Sequence, residues 1–269
     1  MSILSIITIN LNNAIGLAKT IKSVVNQTYI NKIQFIIIDG GSTDESIEVI
    51  KAYEHKISYW LSESDNGIYQ AMNKGIKLST GQYCQFLNSG DYLSADNVIE
   101  RVFLKSLDSS IIIGNLLKIS NNNCIIRDIG TVTNISMLTL YKGTLNHSSA
   151  FLKRSLFFDY GFYDEALKIV SDWKFYLIAV GLHNVSVSYI NIDVSYFDTN
   201  GISNSSPNLL LSERRTVLEE IIPDLILRDY DNYALDIERI NRIKRFPLLD
   251  RLLWFFDRIA FKHDKWMGS

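Results

Sequence analysis

Cysteine is nearly absent: the 269-residue chain holds two, Cys84 and Cys124. Two cysteines make no disulfide framework, and without a CxxC pair or a His/Cys cluster nothing points to zinc. Cys84 falls in an apolar run, where a free thiol behaves as a small buried hydrophobe. A reducing, cytosolic compartment is therefore expected. No sign of charge dominates either. The 27 Lys and Arg against 29 Asp and Glu leave a formal charge of −2, which removes any bulk electrostatic reason to expect nucleic acid. No uninterrupted apolar run reaches the roughly 20 residues of a membrane-spanning helix. Met1-Ser2 passes straight into a strand without a basic flank, so no secretory signal is expected. The Asn-x-Ser/Thr triplets at Asn134 and Asn146 fit chance in an Asn- and Ser-rich chain.

What is present is an ordinary globular composition, 47% hydrophobic and 21% charged. The length allows one large domain, or a domain with an appendage. The first hundred or so residues alternate short β-rich runs with helical stretches, the pattern of a mostly parallel sheet whose strands need helical crossovers. Strands are expected at about 3–9, 33–38, 57–61 and 83–87. Helices are expected at 14–27, after Ser42, from the turn Ser64-Asp65-Asn66-Gly67 to about Gly81, and at 95–105. Ser42 and Glu45 have the spacing of a capping box. Further on come a strand at 111–113, a hairpin of 116–119 and 124–128 around Asn121-Asn122-Asn123, and a strand at 148–151. A helix beginning near Asp172 and a β stretch at 185–197 follow, and the rest reads as helical.

The early strands end in acids and amides. Ser5-Ile6-Ile7-Thr8-Ile9 stops at Asn10, the second strand at Asp39-Gly40-Gly41-Ser42-Thr43-Asp44, and the fourth at Asn88-Ser89-Gly90-Asp91. In such sheets ligands bind beyond the carboxyl ends of the strands, so these clusters converge on one site. Asp39 beside two glycines suits hydrogen bonds to a base or ribose with close backbone approach, though alone it would also serve an Asx turn. Asp91 can give a carboxylate to Mn2+ or Mg2+, with Asn88 as a neutral oxygen donor or ribose contact. The same four residues are also good turn formers. Neither a Walker loop nor a GxGxxG fingerprint occurs, so phosphate recognition must use metal and side chains.

Taken together these segments resemble glycosyltransferase family 2, the inverting transferases with the GT-A fold. The matching stretches are Ser5 to Asn10, Ile38 to Asp44, Ser64-Asp65-Asn66-Gly67-Ile68-Tyr69, Ala71-Met72-Asn73-Lys74-Gly75 and Phe86 to Asp91. A looser match runs from His147 to Asp172, and Phe197-Asp198-Thr199-Asn200-Gly201-Ile202-Ser203 looks like the family's loop near the donor. The resemblance implies an α/β, GT-A-type nucleotide-sugar-binding fold with a mostly parallel sheet and a helical C-terminal extension, divided as 1–205 and 206–269. It implies donor contacts from Thr8, Asn10, Asp39, Asp65, Asn88, Ser89 and Gly90, with Mn2+ or Mg2+ on Asp91. Asp172 becomes the general base unless it is merely a helix N-cap, and His147 lies on the acceptor side unless it is merely packed. Gly161-Phe162-Tyr163-Asp164-Glu165 reads as a structural turn. Two departures stand out: Asn88 and Gly90 sit where relatives are often acidic, and Ser171 sits where many have Glu.

Residues 240–266 differ in character from everything before them. Arg242, Lys244, Arg245, Arg251, Arg258, Lys262 and Lys265 outnumber Asp250, Asp257 and Asp264. Leu249, Leu252, Leu253, Phe256, Ile259 and Ala260 recur at helical spacing, among Trp254, Phe261 and Trp266. That profile suits a helix lying on an anionic membrane. The resulting expectation is transfer of a sugar from a UDP-sugar to a lipid-linked glycan at the inner face of a bacterial membrane, in O-antigen, capsule or exopolysaccharide assembly. A sugar nucleotidyltransferase would carry a Gly-rich basic loop after the first strand, whereas this chain has Asn10-Leu11-Asn12-Asn13. A catalytically silent nucleotide- or glycan-binding protein is the other alternative.

Overall fold

Strand β1 (Leu4–Asn10) is apolar and buried along its whole length, which sets it inside a sheet covered on both faces. The computed structural model of the protein describes residues 2–105, 108–119, 125–129, 135–198 and 206–267. Helix α1 (Ala14–Val25) leads to β2 (Ile33–Asp39), α2 (Ser46–Ala52) to β3 (Tyr59–Ser62), and α3 (Ile68–Leu78) to β4 (Tyr83–Phe86). These four strands are mutually parallel in the order β3-β2-β1-β4. Leu4 and Ile6 of β1 join Leu17, Ile21 and Val24 of α1 in a core on one face. On the other face α3 approaches so closely that a Cβ on Gly75 would come within 2.4 Å of the Ile7 side chain. Glycine at 75 is what lets that helix seat.

The second half of the sheet is mixed. Next in order come β5 (Tyr92–Leu93), α4 (Val98–Phe103), β6 (Ile111–Ile119), β7 (Ile125–Asp128) and α5 (Met137–Lys142). They are followed by β8 (Ala150–Lys153), α6 (Leu156–Asp159), α7 (Ser171–Tyr176, prolonged by a π turn at Leu177–Leu182) and β9 (Val187–Asp198). The sheet continues β4-β8-β6-β9-β5, with β7 on β6. Strand β8 is antiparallel to both neighbours, β6 and β9 are parallel, and β5 is antiparallel to β9. The parallel character read from the sequence thus belongs to the βα half. The expected strand at 111–113 and first hairpin arm at 116–119 merge into one strand, β6. The hairpin tip at Asn121-Asn122-Asn123, Cys124, Asn134 and residues 199–203 of the donor-side loop lie outside the described residues.

Helices α8 (Pro207–Ile221), α9 (Asp224–Lys244) and α10 (Pro247–Met267) complete the chain. The chain groups into two compact units, Met1–Val217 and Leu218–Ser269. The division falls inside α8, beyond the expected 205/206 boundary. Among the described residues no helix is long and apolar enough to cross a membrane.

Candidate active site

The ends of β1 and β2 are tied to each other. Asp39 is fully buried and accepts five hydrogen bonds. They come from Asn10 Nδ2 (2.8 Å), Ser42 Oγ (2.6 Å), Ser62 Oγ (2.7 Å) and the backbone N–H groups of Gly41 (3.2 Å) and Ser42 (2.9 Å). Burial pushes the Asp39 carboxyl pKa up, but the bonds from Ser42, Ser62 and Asn10 together outweigh it and hold it below the usual value. Ser42 is therefore committed to Asp39, and the expected capping box with Glu45 does not form. Helix α2 begins at Ser46 with no side-chain cap from Glu45. Asp44 takes over that end, accepting from Ser46 N–H (3.0 Å) and, across the site, from Ala14 N–H (2.9 Å).

Thr8 is fully buried, and its hydroxyl donates to the Leu87 carbonyl (2.7 Å). Asp65 leans over the Asp39 loop: its Oδ2 lies 2.8 Å from where a Cβ on Gly40 would stand. Any side chain at 40 would displace that acid. Asp65 Oδ1 accepts from Gly67 N–H (3.0 Å), closing the turn ahead of α3.

Beyond β4 the chain makes a tight turn in which Asp91 N–H donates to the Asn88 carbonyl (2.9 Å). Gly90 adopts φ 106°, a region closed to most side chains. Thr20 of α1 secures the turn from below, donating to the Asp91 carbonyl (2.6 Å) and accepting from Gly90 N–H (3.0 Å). Asn13 Nδ2 donates to the Ser89 carbonyl (3.0 Å). Thr20→Val keeps the shape but leaves Gly90 N–H unpaired. We expect a loss of about 1–3 kcal/mol of stability, read by denaturant melts.

Asn88, Ser89, Asp91, His147 and Asp172 line one cleft of about 640 Å³. Thr8, Asn10, Asp39, Asp65 and Gly90 do not line it. Among the described residues no group of three or more His, Cys, Asp or Glu side chains could hold a metal ion. Asn88 Oδ1 is nevertheless buried without a hydrogen-bond partner, and Asp91 is only 3% exposed. A carboxylate and a neutral oxygen fit a hard cation that takes its other ligands from phosphates and water.

Asp172 is the second residue of α7; the N-cap is Val170, so the helix-cap alternative falls away. Its Oδ1 accepts from the Tyr69 hydroxyl (3.1 Å), and its Oδ2 lies 3.4 Å from His147 Nδ1. The single Tyr69 hydroxyl proton is shared between Asp172 Oδ1 and the closer Ile169 carbonyl (2.6 Å). Burial, then the Asp172 charge, push the Tyr69 pKa far up, so it stays a phenol. Burial pulls the His147 pKa down, but its hydrogen bond to Asp172 and the charges of Asp172 and Asp91 outweigh this and raise it. The two neighbouring acids are occupied elsewhere. Asp164 pairs with Lys174 (2.9 Å), and Glu165 accepts from Asn73 Nδ2 (2.8 Å). Asn73 also donates to the Tyr163 carbonyl (2.8 Å), so residues 161–165 are the structural turn read from the sequence. Ser171 accepts from Asp164 N–H and braces that turn.

Sequence reasoning did not single out Tyr69, Thr20, Trp173 or Arg214. Tyr69 stood inside a recognised motif, but its partner Asp172 lies 103 residues away. Thr20 looks like any polar helix residue, and Arg214 falls beyond the expected domain boundary.

Residues 5–154 match the family model for Glycosyl transferase family 2, and the chain belongs to that family. It is 31% identical over 216 residues to an uncharacterised glycosyltransferase of Mycobacterium tuberculosis, covering 78% of this chain and 81% of that one. It is 29% identical over 208 residues to the PGL/p-HBAD biosynthesis glycosyltransferase of Mycobacterium bovis, covering 75% and 79%. The protein is a glycosyltransferase. Its fold is of the GT-A type and is shared with S. aureus TarS (TM-score 0.65, 17% identity, 82% of this chain but 40% of that longer one). TarS 1-349 in complex with UDP-GlcNAc (TM-score 0.63, 16% identity, 93% and 80% covered) has the same fold. So does the mannosyltransferase PcManGT of Pyrobaculum calidifontis in complex with GDP-Man and Mn2+ (TM-score 0.60, 14% identity, 98% and 82% covered).

Proposed function

We propose that the protein transfers a sugar, with inversion, from a nucleotide diphosphate donor of the UDP-sugar type to a hydroxyl of a lipid-linked glycan in bacterial surface-polysaccharide synthesis of the O-antigen type. The observation that carries this reading is Asp172, braced on both oxygens by Tyr69 and His147 in the cleft that also holds Asp91 and Asn88. Asp172 takes the acceptor proton while the acceptor oxygen bonds to the anomeric carbon and the bond to the diphosphate breaks. Tyr69 and His147 hold the carboxylate in place for that transfer. Asp91 and Asn88 would hold Mn2+ or Mg2+, which when bound neutralises charge on the departing diphosphate. Asp39, Asn10, Asp65 and Thr8, which the resemblance assigns to donor contacts, would act by fixing the ends of β1 and β2. A UDP-sugar donor is supported by the UDP-GlcNAc complex of TarS, and a metal by the Mn2+ complex of PcManGT. Release of UDP from a panel of UDP-sugars with Mn2+ tests the reading; no turnover of any nucleotide sugar by the folded protein would overturn it.

The acceptor's lipid and a peripheral position on the membrane rest on α10. Leu248, Leu249, Leu252, Phe255, Phe256 and Ile259 are all exposed. At 100° per residue they fall on one face of the helix, with Asp250 and Asp257 opposite. Arg251 and Arg258 border that face, and Arg258 stacks on Trp254 at 4.6 Å. Each basic residue near an anionic surface contributes about 1 kcal/mol, added to the apolar burial. Full-length protein is expected to sediment with anionic vesicles at moderate salt, and a chain ending at Lys244 is not. Equal partitioning of the two would remove the membrane assignment.

A further inference from the structure

Two adjacent residues of α8 grip the two segments that lead to Asp172 and His147. Glu213 accepts from both backbone N–H groups of Lys168 (2.7 Å) and Ile169 (2.9 Å), one with each carboxylate oxygen. Those amides lie just ahead of α7, three and four residues before Asp172, and the Ile169 carbonyl in turn anchors Tyr69. Arg214 reaches the other way. Its guanidinium donates to the carbonyls of Leu140 (3.2 Å), Tyr141 (3.2 Å), Lys142 (3.4 Å) and Gly143 (3.0 Å). Those are the end of α5, whose last carbonyls have no helical partner, and the chain runs from there through Thr144-Leu145-Asn146 to His147. The same guanidinium lies 4.3 Å over the ring of Trp173, the residue next to Asp172. Trp173 Nε1 donates to the Leu140 carbonyl (2.7 Å), locking α5 to α7.

We propose that Glu213 and Arg214 are positioning residues for glycosyl transfer: Glu213 sets the backbone that aims Asp172, and Arg214 sets the turn that aims His147. Helix α8 is then part of the active site rather than an appendage. This rests on the reading of Asp172 as the base. A neutral loop contact would not need a carboxylate on two consecutive amides and a five-donor fork on four consecutive carbonyls. Arg is required at 214, because a lysine ammonium offers three donors and no plane to stack on Trp173.

The test uses the full-length chain. Glu213→Ala and Arg214→Ala are expected to lower kcat by about 10²-fold, since small misplacements of a reacting group cost that much, with UDP affinity changed less than about twofold. Arg214→Lys should stay near the Arg214→Ala rate, while Glu213→Gln, which keeps one acceptor oxygen but sets an NH2 group against the other backbone N–H, should fall between Glu213→Ala and the parent. If the alanine variants do not fold, Arg214→Lys and Glu213→Gln carry the measurement. Lower melting temperatures with unchanged kcat per folded molecule would overturn the proposal, as would full rescue by Arg214→Lys. Asp172→Asn is run beside them. An inactive Asp172→Asn with fully active clamp variants refutes the clamp alone; an active Asp172→Asn refutes the base and the clamp together.

Discussion

Asp172→Asn is expected to cut kcat by about 10²–10⁴-fold, the range for losing a positioned general base, with UDP binding nearly intact. The amide keeps the size of the side chain and can still accept from the Tyr69 hydroxyl now 3.1 Å away, so the fold should survive. What it cannot do is take the acceptor proton. UDP titration by calorimetry alongside acceptor-dependent turnover separates the two effects. Because α7 is capped at Val170 and not at Asp172, a melting temperature close to the parent's is also expected. Collapse of UDP affinity together with the melting temperature would make Asp172 a structural residue.

Asp91→Asn should remove metal-dependent turnover. A bound cation supplies several kcal/mol of charge stabilisation to the leaving group. Losing about 4 kcal/mol corresponds to a rate on the order of 10³-fold lower. The effect should be large here because the turn Asn88-Ser89-Gly90-Asp91 offers a single carboxylate. No second acid in the turn can take over. The substitution should also weaken Mn2+ binding in the presence of UDP, measured by electron paramagnetic resonance of free Mn2+. Undiminished turnover at unchanged metal concentration would free Asp91 of this role.

The family, the fold type and the enzyme class were legible before any coordinates, and the reason is local. Parallel strands buried on both faces must be continuous apolar runs, and strand ends that meet a ligand must be polar. Both signatures lie within stretches of five to ten residues, as in Ser5 to Asn10. The Ser42–Glu45 capping box was misread for a related reason. Its spacing is a local signal, but Ser42 is drawn away by a buried carboxylate on the preceding strand, Asp39, whose need for donors is stronger than a helix end's. The hydroxyl bonds at 2.6 Å to Asp39 instead.

By itself, then, the sequence determined the run of β–α units in the first half, the polar strand ends and Asp91 as the one carboxylate of its turn. Periodicity and turn chemistry act between neighbours along the chain. The tertiary structure alone decided which acids share a cleft. It left Asp91 and Asp172 lining it, while Asp39 was consumed by five internal donors and Asp164 by Lys174. It also decided that Tyr69 and His147 meet on the two oxygens of Asp172, with Glu213 on the backbone ahead of α7 and Arg214 on the end of α5. Those partners come from helices and loops up to 103 residues apart in the pairs that meet. A hydrogen bond forms only where packing brings donor and acceptor within about 3 Å, and no local pattern in the chain encodes that meeting.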